Sequence, residues 1–196
     1  MRSICVFCGS SMPQETAYTE TAKRLGELLA EREIRLVYGG ADVGLMGTVA
    51  NACLGRGGTV VGVMPQHLVD LEVAHGGLTD LKVVDTMHER KRVMSDLSDG
   101  FIALPGGIGT LEETFEIFTW LQLGLHTKPL GLLNPKGFYD HLNRFLSHMT
   151  GEGFLMDFHR AMLMVESECD ALLDRFENYR PIAREKWFDK RQHKAS

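Results

Sequence analysis

No stretch of the 196 residues stays apolar for anything near the roughly 20 residues that a bilayer-spanning helix needs, so no helical membrane anchor is expected. Positive charge is in deficit. With 21 Lys and Arg against 26 Asp and Glu, the formal net charge is −5, and no general attraction to nucleic acid or anionic lipid is expected. The chain enters the strand-like run Ser3-Ile4-Cys5-Val6-Phe7 at once, without the charged and apolar segments of a secretory signal, which points to the cytoplasm. Proline is scarce, with six in the chain, and no Pro/Ser-rich linker, composition shift or internal repeat divides it. Cysteine is scarce too. Four thiols include Cys5-x-x-Cys8, but no second such pair or Cys/His pair stands at zinc-ligand spacing. Cys5 also lies inside a strand pattern, where a redox motif would open a helix. Buried, unpaired thiols and no bound metal are the expectation.

What is present is the composition of an ordinary globular protein, 44% hydrophobic and 24% charged, in a chain long enough to bury one core. Short β-branched or apolar runs at 4–7, 35–38, 59–64, 81–84, 101–104, 130–133 and 162–165 read as strands. Helical periodicity falls between and after them, at 16–31, 44–54, 88–97, 111–123, 138–149 and 168–178, with a longer connection over 66–79 that holds a partial helical turn. Strands alternating with helices predict an α/β fold, a Rossmann-like doubly wound parallel sheet, in one domain over 1–180 with a polar tail over 181–196.

In such sheets ligands bind beyond the carboxyl ends of the strands. Three loops there are rich in small residues: Cys8-Gly9-Ser10-Ser11, Gly39-Gly40-Ala41-Asp42-Val43-Gly44 and Pro105-Gly106-Gly107-Ile108-Gly109-Thr110. Glycine lets the backbone approach an anion, and helix N-termini favour negative charge, so a phosphate-bearing ligand is expected. Gly9, Ser10, Gly39 and Gly40 are candidate phosphate or ribose contacts.

The common phosphate-binding classes fail on spacing. The first loop lacks G-x-G-x-x-G and strand two ends in Tyr38-Gly39-Gly40 with no acid for a ribose diol, which disfavours a dinucleotide fold. Gly39 and Gly44 have the outer spacing of a P-loop, but Leu45-Met46 stand where Lys-Ser/Thr is required. His88-Glu89-Arg90-Lys91-Arg92 begins like a zinc-protease motif, yet Arg92 replaces its second histidine.

Two segments remain, Met87-His88-Glu89-Arg90-Lys91 and Pro105-Gly106-Gly107-Ile108-Gly109-Thr110-Leu111-Glu112-Glu113, each heading a helix after a strand. Together with Cys8-Gly9-Ser10-Ser11, Tyr38-Gly39-Gly40, Gly44-Leu45-Met46-Gly47, Trp120-x-Gln122-Leu123-Gly124 and Lys128-Pro129-x-Gly131-Leu132-Leu133-Asn134, they form an ordered set over nearly the whole chain. The set resembles the Lonely Guy family of cytokinin-activating phosphoribohydrolases, long labelled lysine decarboxylases, whose shared motif is PGGxGTxxE. The resemblance implies a Rossmann-like homodimer with the site near the subunit interface, acting on a nucleoside 5′-monophosphate without a cofactor. It implies that Arg90 and Glu113 are the catalytic pair, and that Glu72, Lys91, the run Gly106, Gly107, Ile108, Gly109, Thr110, Leu111, Glu112 and Glu113, and Thr119 contact substrate. Decarboxylation is disfavoured on chemical grounds, since no lysine stands in a cofactor-binding motif.

Cleavage of an N-glycosidic bond passes through an oxocarbenium-like sugar, which suits a carboxylate such as Glu113. Arg90 would clamp phosphate or ribose oxygens and hold that carboxylate ionised. From local sequence alone Thr110-x-x-Glu113 reads as a helix capping box, and Arg90 as part of a solvated face whose removal leaves the fold intact. The resemblance favours the catalytic reading. His88 reads as a turn or core histidine, and Phe115, Phe118 and Leu121 as core. A general AMP nucleosidase and a non-catalytic nucleotide or cofactor carrier are the alternatives, and a carrier needs the cradle but not the carboxylate.

The amide-rich loops make the 5′-phosphate obligatory. Adenosine is expected to lose on the order of a hundredfold or more in kcat/KM relative to AMP, the worth of two charge-assisted hydrogen bonds of roughly 1.5 kcal/mol each. Base release followed by chromatography measures it, and equal rates would refute the phosphate cradle.

Overall fold

Runs apolar on both sides can only be stable in a sheet covered on both faces, and the strand sequences here are of that kind. A computed structural model describes residues 1–71 and 74–181. Among them, β1 (Ser3–Phe7), β2 (Arg35–Tyr38), β3 (Val60–Pro65), β4 (Asp80–Val84), β5 (Gly100–Ala103), β6 (Leu130–Leu133) and β7 (Leu163–Glu166) pair in parallel in the order β4-β3-β2-β1-β5-β6-β7. Every residue of β1, β3, β5 and β6 is buried, whereas edge strand β4 leaves Lys82 and Val83 exposed.

The helices are α1 (Thr16–Glu31), α2 (Gly44–Gly55), α3 (Gln66–Val69), α4 (Met87–Asp96), α5 (Ile108–Gln122), α6 (Asp140–Gly151), α7 (Asp157–Arg160) and α8 (Cys169–Glu177). On one face Leu25 and Leu29 of α1, Val49 of α2 and Leu172 of α8 pack on Ile4, Val6 and Leu36 of the sheet. On the other, Met94 of α4, Phe118 and Leu121 of α5 and Leu146 of α6 pack on Phe7, Val37 and Phe101. Phe115 is partly buried against this second core. The four free thiols, Cys5, Cys8, Cys53 and Cys169, are all buried, as expected.

The doubly wound α/β fold is the one expected, and each strand matches its sequence-based bounds to within one residue per end. Two helix starts differ by more than one residue, and the short α7 is not one of the expected helices. α5 begins at Ile108 instead of 111, because Gly107 and not Thr110 is its first flanking residue. α6 begins at Asp140 instead of 138, because Pro135–Gly137 form a 3-10 turn with Lys136 at φ 54° and Gly137 at φ 71°. Residues 182–196, most of the expected tail, lie outside the described residues.

The winding creates the site. The chain runs outward from β1 to β4, then returns to place β5 beside β1, so the topological switch point lies between these two strands. There Gly9 N donates to Pro105 O at 3.1 Å and Leu45 N donates to Gly9 O at 3.0 Å, which ties the loops after β1 and β5 to the head of α2.

α1 and α2 touch most closely at Gly26, where an added Cβ would collide with the carbonyl of Val49 and lie 2.9 Å from Ala52 Cβ. Gly26→Ala is therefore expected to cost about 1–3 kcal/mol by overpacking, although alanine favours helices. Gly55→Ala, where an added Cβ meets nothing within 4 Å, is the control and should be neutral or slightly stabilising. Urea unfolding of the two variants checks the pair.

Candidate active site

The start of α4 is set by a capping arrangement that a pattern scan could have found: Glu89 N donates to Thr86 Oγ1 at 3.1 Å, and Asp85 N to Glu89 Oε2 at 2.9 Å. The next residues of the turn, Arg90 and Lys91, are each only 7% exposed. The solvated-face reading of Arg90 is thus corrected. Its Nε donates to Val63 O at the end of β3 at 2.9 Å, and its Nη1 to Glu113 Oε1 at 3.1 Å. Its Nη2 lies against Gly39, where any Cβ would collide with it. Glycine at 39 makes room for a guanidinium.

α5 presents its head to the switch point. Gly107, its N-cap, has no side chain to offer, and Gly107, Ile108 and Gly109 are exposed. The N–H groups of a helix's first turn have no intrahelical partner, and an exposed end of this kind can receive an anion. The capping-box reading of Thr110 and Glu113 is corrected as well. Thr110 lies within the first turn, 4% exposed, with its hydroxyl packed so closely against Gly106 that no Cβ fits there. Glu113 accepts from Arg90 instead of closing back on the helix start. Leu111 is partly buried in the second core. Glu112 and Glu116 both reach Lys91 Nζ, at 2.6 and 3.0 Å.

The electrostatics follow from burial. Desolvation raises the pKa of Glu113 above the ordinary glutamate value, Arg90 pulls it back, and Glu112 and Glu116 push it up again. For Lys91, burial alone would lower the pKa, but its bonds to Glu112 and Glu116 outweigh that and hold it above the usual lysine value. Burial, then Glu113, drive the Cys8 thiol well above its ordinary range, so it is no nucleophile.

Of the other expected contacts, Ser10 is exposed and Gly9 half-buried on the rim of a concavity of about 290 Å³ that Met12, Tyr18, Leu45 and Phe138 line and Gly106 and Gly107 border. Gly39 and Gly40 are buried and do not form an open cradle: Gly39 accommodates Arg90, while Gly40, at φ 86°, accepts from His75 N at 2.9 Å. Thr119 is exposed and bonds its own helix at Phe115 O, nine residues past Thr110 and so roughly 13 Å along the axis. Seven residues past Glu112 and three past Glu116, it lies on the face of α5 that carries these two acids. Glu72 lies outside the described residues, and His88 is exposed on the first turn of α4, not in the core. Sequence reasoning missed His75, which anchors the 66–79 connection: its Nε2 is 3.1 Å from Asn51 Oδ1, and Gly77 N donates to its Nδ1.

A family model described as "Possible lysine decarboxylase" matches residues 46–176. The chain is 50% identical over 165 residues to the cytokinin riboside 5′-monophosphate phosphoribohydrolase of Rhodococcoides fascians, covering 84% of this chain and 83% of that one. It is 46% identical over 180 residues to an enzyme of the same name from Arabidopsis thaliana, covering 92% and 84%. The chain belongs to this phosphoribohydrolase family. Lower similarity shows a shared fold alone: the molybdenum cofactor carrier protein of Chlamydomonas reinhardtii has a TM-score of 0.69 at 18% identity over 91% of this chain and 99% of that one. The molybdenum cofactor binding protein of Rippkaea orientalis gives 0.67 at 20%, over 90% and 96%. The decarboxylase label of the family model finds no support in Lys91, since a Schiff-base lysine must lose its proton and two carboxylates here retain it.

Arg90→Ala is expected to cost stability, contrary to the surface reading, by about 3–5 kcal/mol, because it leaves the Glu113 carboxylate buried without its cation. In the Arg90→Ala background, Glu113→Ala should then cost less than in the parent. Denaturant titration of the double-mutant cycle tests this, and additive losses would mean that the pair is not coupled.

Proposed function

We propose that this protein hydrolyses the N-glycosidic bond of an N6-substituted adenosine 5′-monophosphate, releasing the base and ribose 5-phosphate, as the names of its relatives describe for them. The observation that carries the reading is a mostly buried carboxylate, paired with a buried guanidinium, about one helical turn from an uncapped and exposed helix head. Water supplies hydroxide to the anomeric carbon, the C1′–N9 bond breaks, and its electron pair and a proton go to the base. Glu113 faces the anomeric carbon, stabilising positive charge on the sugar and accepting the proton of the water. Arg90 touches the carboxylate and keeps it ionised where burial opposes that. Two of the guanidinium's nitrogens are engaged by Val63 and Glu113, so Arg90 acts first by holding the carboxylate and less as a bidentate phosphate clamp.

The amides from Gly107 to Thr110, together with Lys91, whose ammonium reaches Glu112 on the next turn, receive the 5′-phosphate, and Gly9 and Ser10 close the rim. Glu72 is assigned to the substrate on the resemblance alone. Thr119, one turn past Glu116 on the same face of α5, extends the substrate surface away from the helix head, and the exposed Ile108, Leu123 and Leu125 along and just past α5 offer an apolar face for a homodimer. The formal charge of −5, and the fact that no helix among the described residues is long and apolar enough to cross a membrane, support a cytoplasmic enzyme of small nucleotides with neither nucleic acid nor membrane as partner. No cofactor enters the proposed reaction.

Glu113→Gln should lower kcat by on the order of a hundredfold or more, since the amide cannot take a proton, while nucleotide binding persists. It should also lose about 1–3 kcal/mol of stability, because the buried Arg90 keeps a hydrogen bond but not its countercharge. In the parent enzyme, activity should fall as pH drops through a pKa above the ordinary glutamate value, as Glu113 takes up a proton, and the variant should lack that limb. Single-turnover assays with AMP and an N6-prenylated AMP across pH decide it: a fully active glutamine variant would remove Glu113 from the mechanism and favour a carrier.

A further inference from the structure

Lys91 is held more tightly than a residue waiting for a phosphate should be. Its ammonium, on a side chain only 8% exposed, is 2.6 Å from Glu112 and 3.0 Å from Glu116. With the pair behind it, two cations, Arg90 and Lys91, face three carboxylates, Glu112, Glu113 and Glu116, so the ionised cluster carries a net charge of −1. A phosphate dianion approaching Lys91 would enter a negative field at short range and low dielectric. One carboxylate has to give way.

Burial decides which. The Glu113 side chain is 12% exposed and holds Arg90, and that of Glu116 is 25% exposed, whereas that of Glu112 is 54% exposed. Glu112 alone can turn into water and be rehydrated while leaving no buried cation unpaired, because Glu116 stays on Lys91. It also lies on the second turn of α5, within about one turn of the head where the phosphate is expected.

We propose that Glu112 is a built-in competitor: its carboxylate occupies Lys91 in the resting enzyme, and the 5′-phosphate of the substrate displaces it. This deepens the reading above and rests on Lys91 meeting the phosphate. An uncharged nucleoside has no group with which to displace Glu112, so the residue selects for phosphorylated substrates by making every ligand compete with an internal anion. Glu112 then departs from the run of direct contacts that the family resemblance implies, since its side chain leaves as substrate arrives.

The test is calorimetric titration of ribose 5-phosphate into the parent protein, Glu112→Gln, Lys91→Met and the double variant, at one ionic strength and at pH 8, where the phosphate is fully dianionic. Position 112 is exposed, so its substitution leaves the fold in place, and melting curves of all four proteins check this. The expected result is several-fold to tenfold tighter binding by Glu112→Gln, at least tenfold weaker binding by Lys91→Met, and a double variant no tighter than Lys91→Met. The KM for AMP should fall in Glu112→Gln by the same factor as the dissociation constant. Unchanged or weaker binding by Glu112→Gln, with Lys91→Met still impaired, overturns the competitor role and leaves Lys91 as the phosphate contact. A double variant tightened as much as the single one also overturns it, since Glu112 would then act through the general field. Unchanged binding by Lys91→Met removes the underlying reading, and the proposal with it.

Discussion

The guanidinium of Arg90 joins three parts of the molecule that the chain keeps far apart. It bonds the second half of β3 through Val63, faces the carboxylate of α5 through Glu113, and fills the space that Gly39 leaves at the end of β2. A buried cation of this kind is stable only with a partner and with its remaining donors satisfied, so each of these positions constrains the others. The same bonds set the electrostatics of the pair, because burial raises the pKa of the Glu113 carboxyl and Arg90 opposes that rise.

Around it, the geometry follows from winding. Parallel strands direct every following helix to start at one edge, and the reversal beside β1 opens a crevice where the loops after β1 and β5 meet. Glycine is placed there for clearance. Gly9 lies 3.3 Å, measured from an added Cβ, from the Cα of Gly106; Gly106 has no room for a side chain beside Thr110; and Gly44, at φ 56°, packs on the backbone of Ser10. The head of α5, capped by no side chain, has Gly107, Ile108 and Gly109 exposed. Charge then becomes the deciding variable, with two buried cations balanced against three acids of unequal exposure.

The fold itself is shared with molybdenum cofactor carriers of about 20% identity, which bind but are not named as hydrolases. Function therefore resides in side chains grafted onto a common sheet. In this chain a mostly buried carboxylate, Glu113, stands about one turn from the exposed head of α5, a costly feature that a binding role alone does not need.

Strand and helix identity were legible in sequence because they rest on local periodicity: a buried parallel strand is nearly all apolar, and residues 4–7 and Leu130–Leu133 are. The ordered glycine and MHxRK motifs likewise located the switch point and the family, since a backbone that must pass close to another tolerates few residue types. The roles of individual side chains were not legible. Thr110 and Glu113 have capping-box spacing, and only the packing of Gly106 on Thr110 and the approach of Arg90 across from α4 reassign them. Arg90 read as a surface charge because burial is a property of what lies opposite, here Val63 and Gly39, residues 27 and 51 positions away. Periodicity and motifs are local, and the sequence carries them by itself; which charges lose their water and which partner they then find depends on long-range packing, and tertiary structure alone decides that.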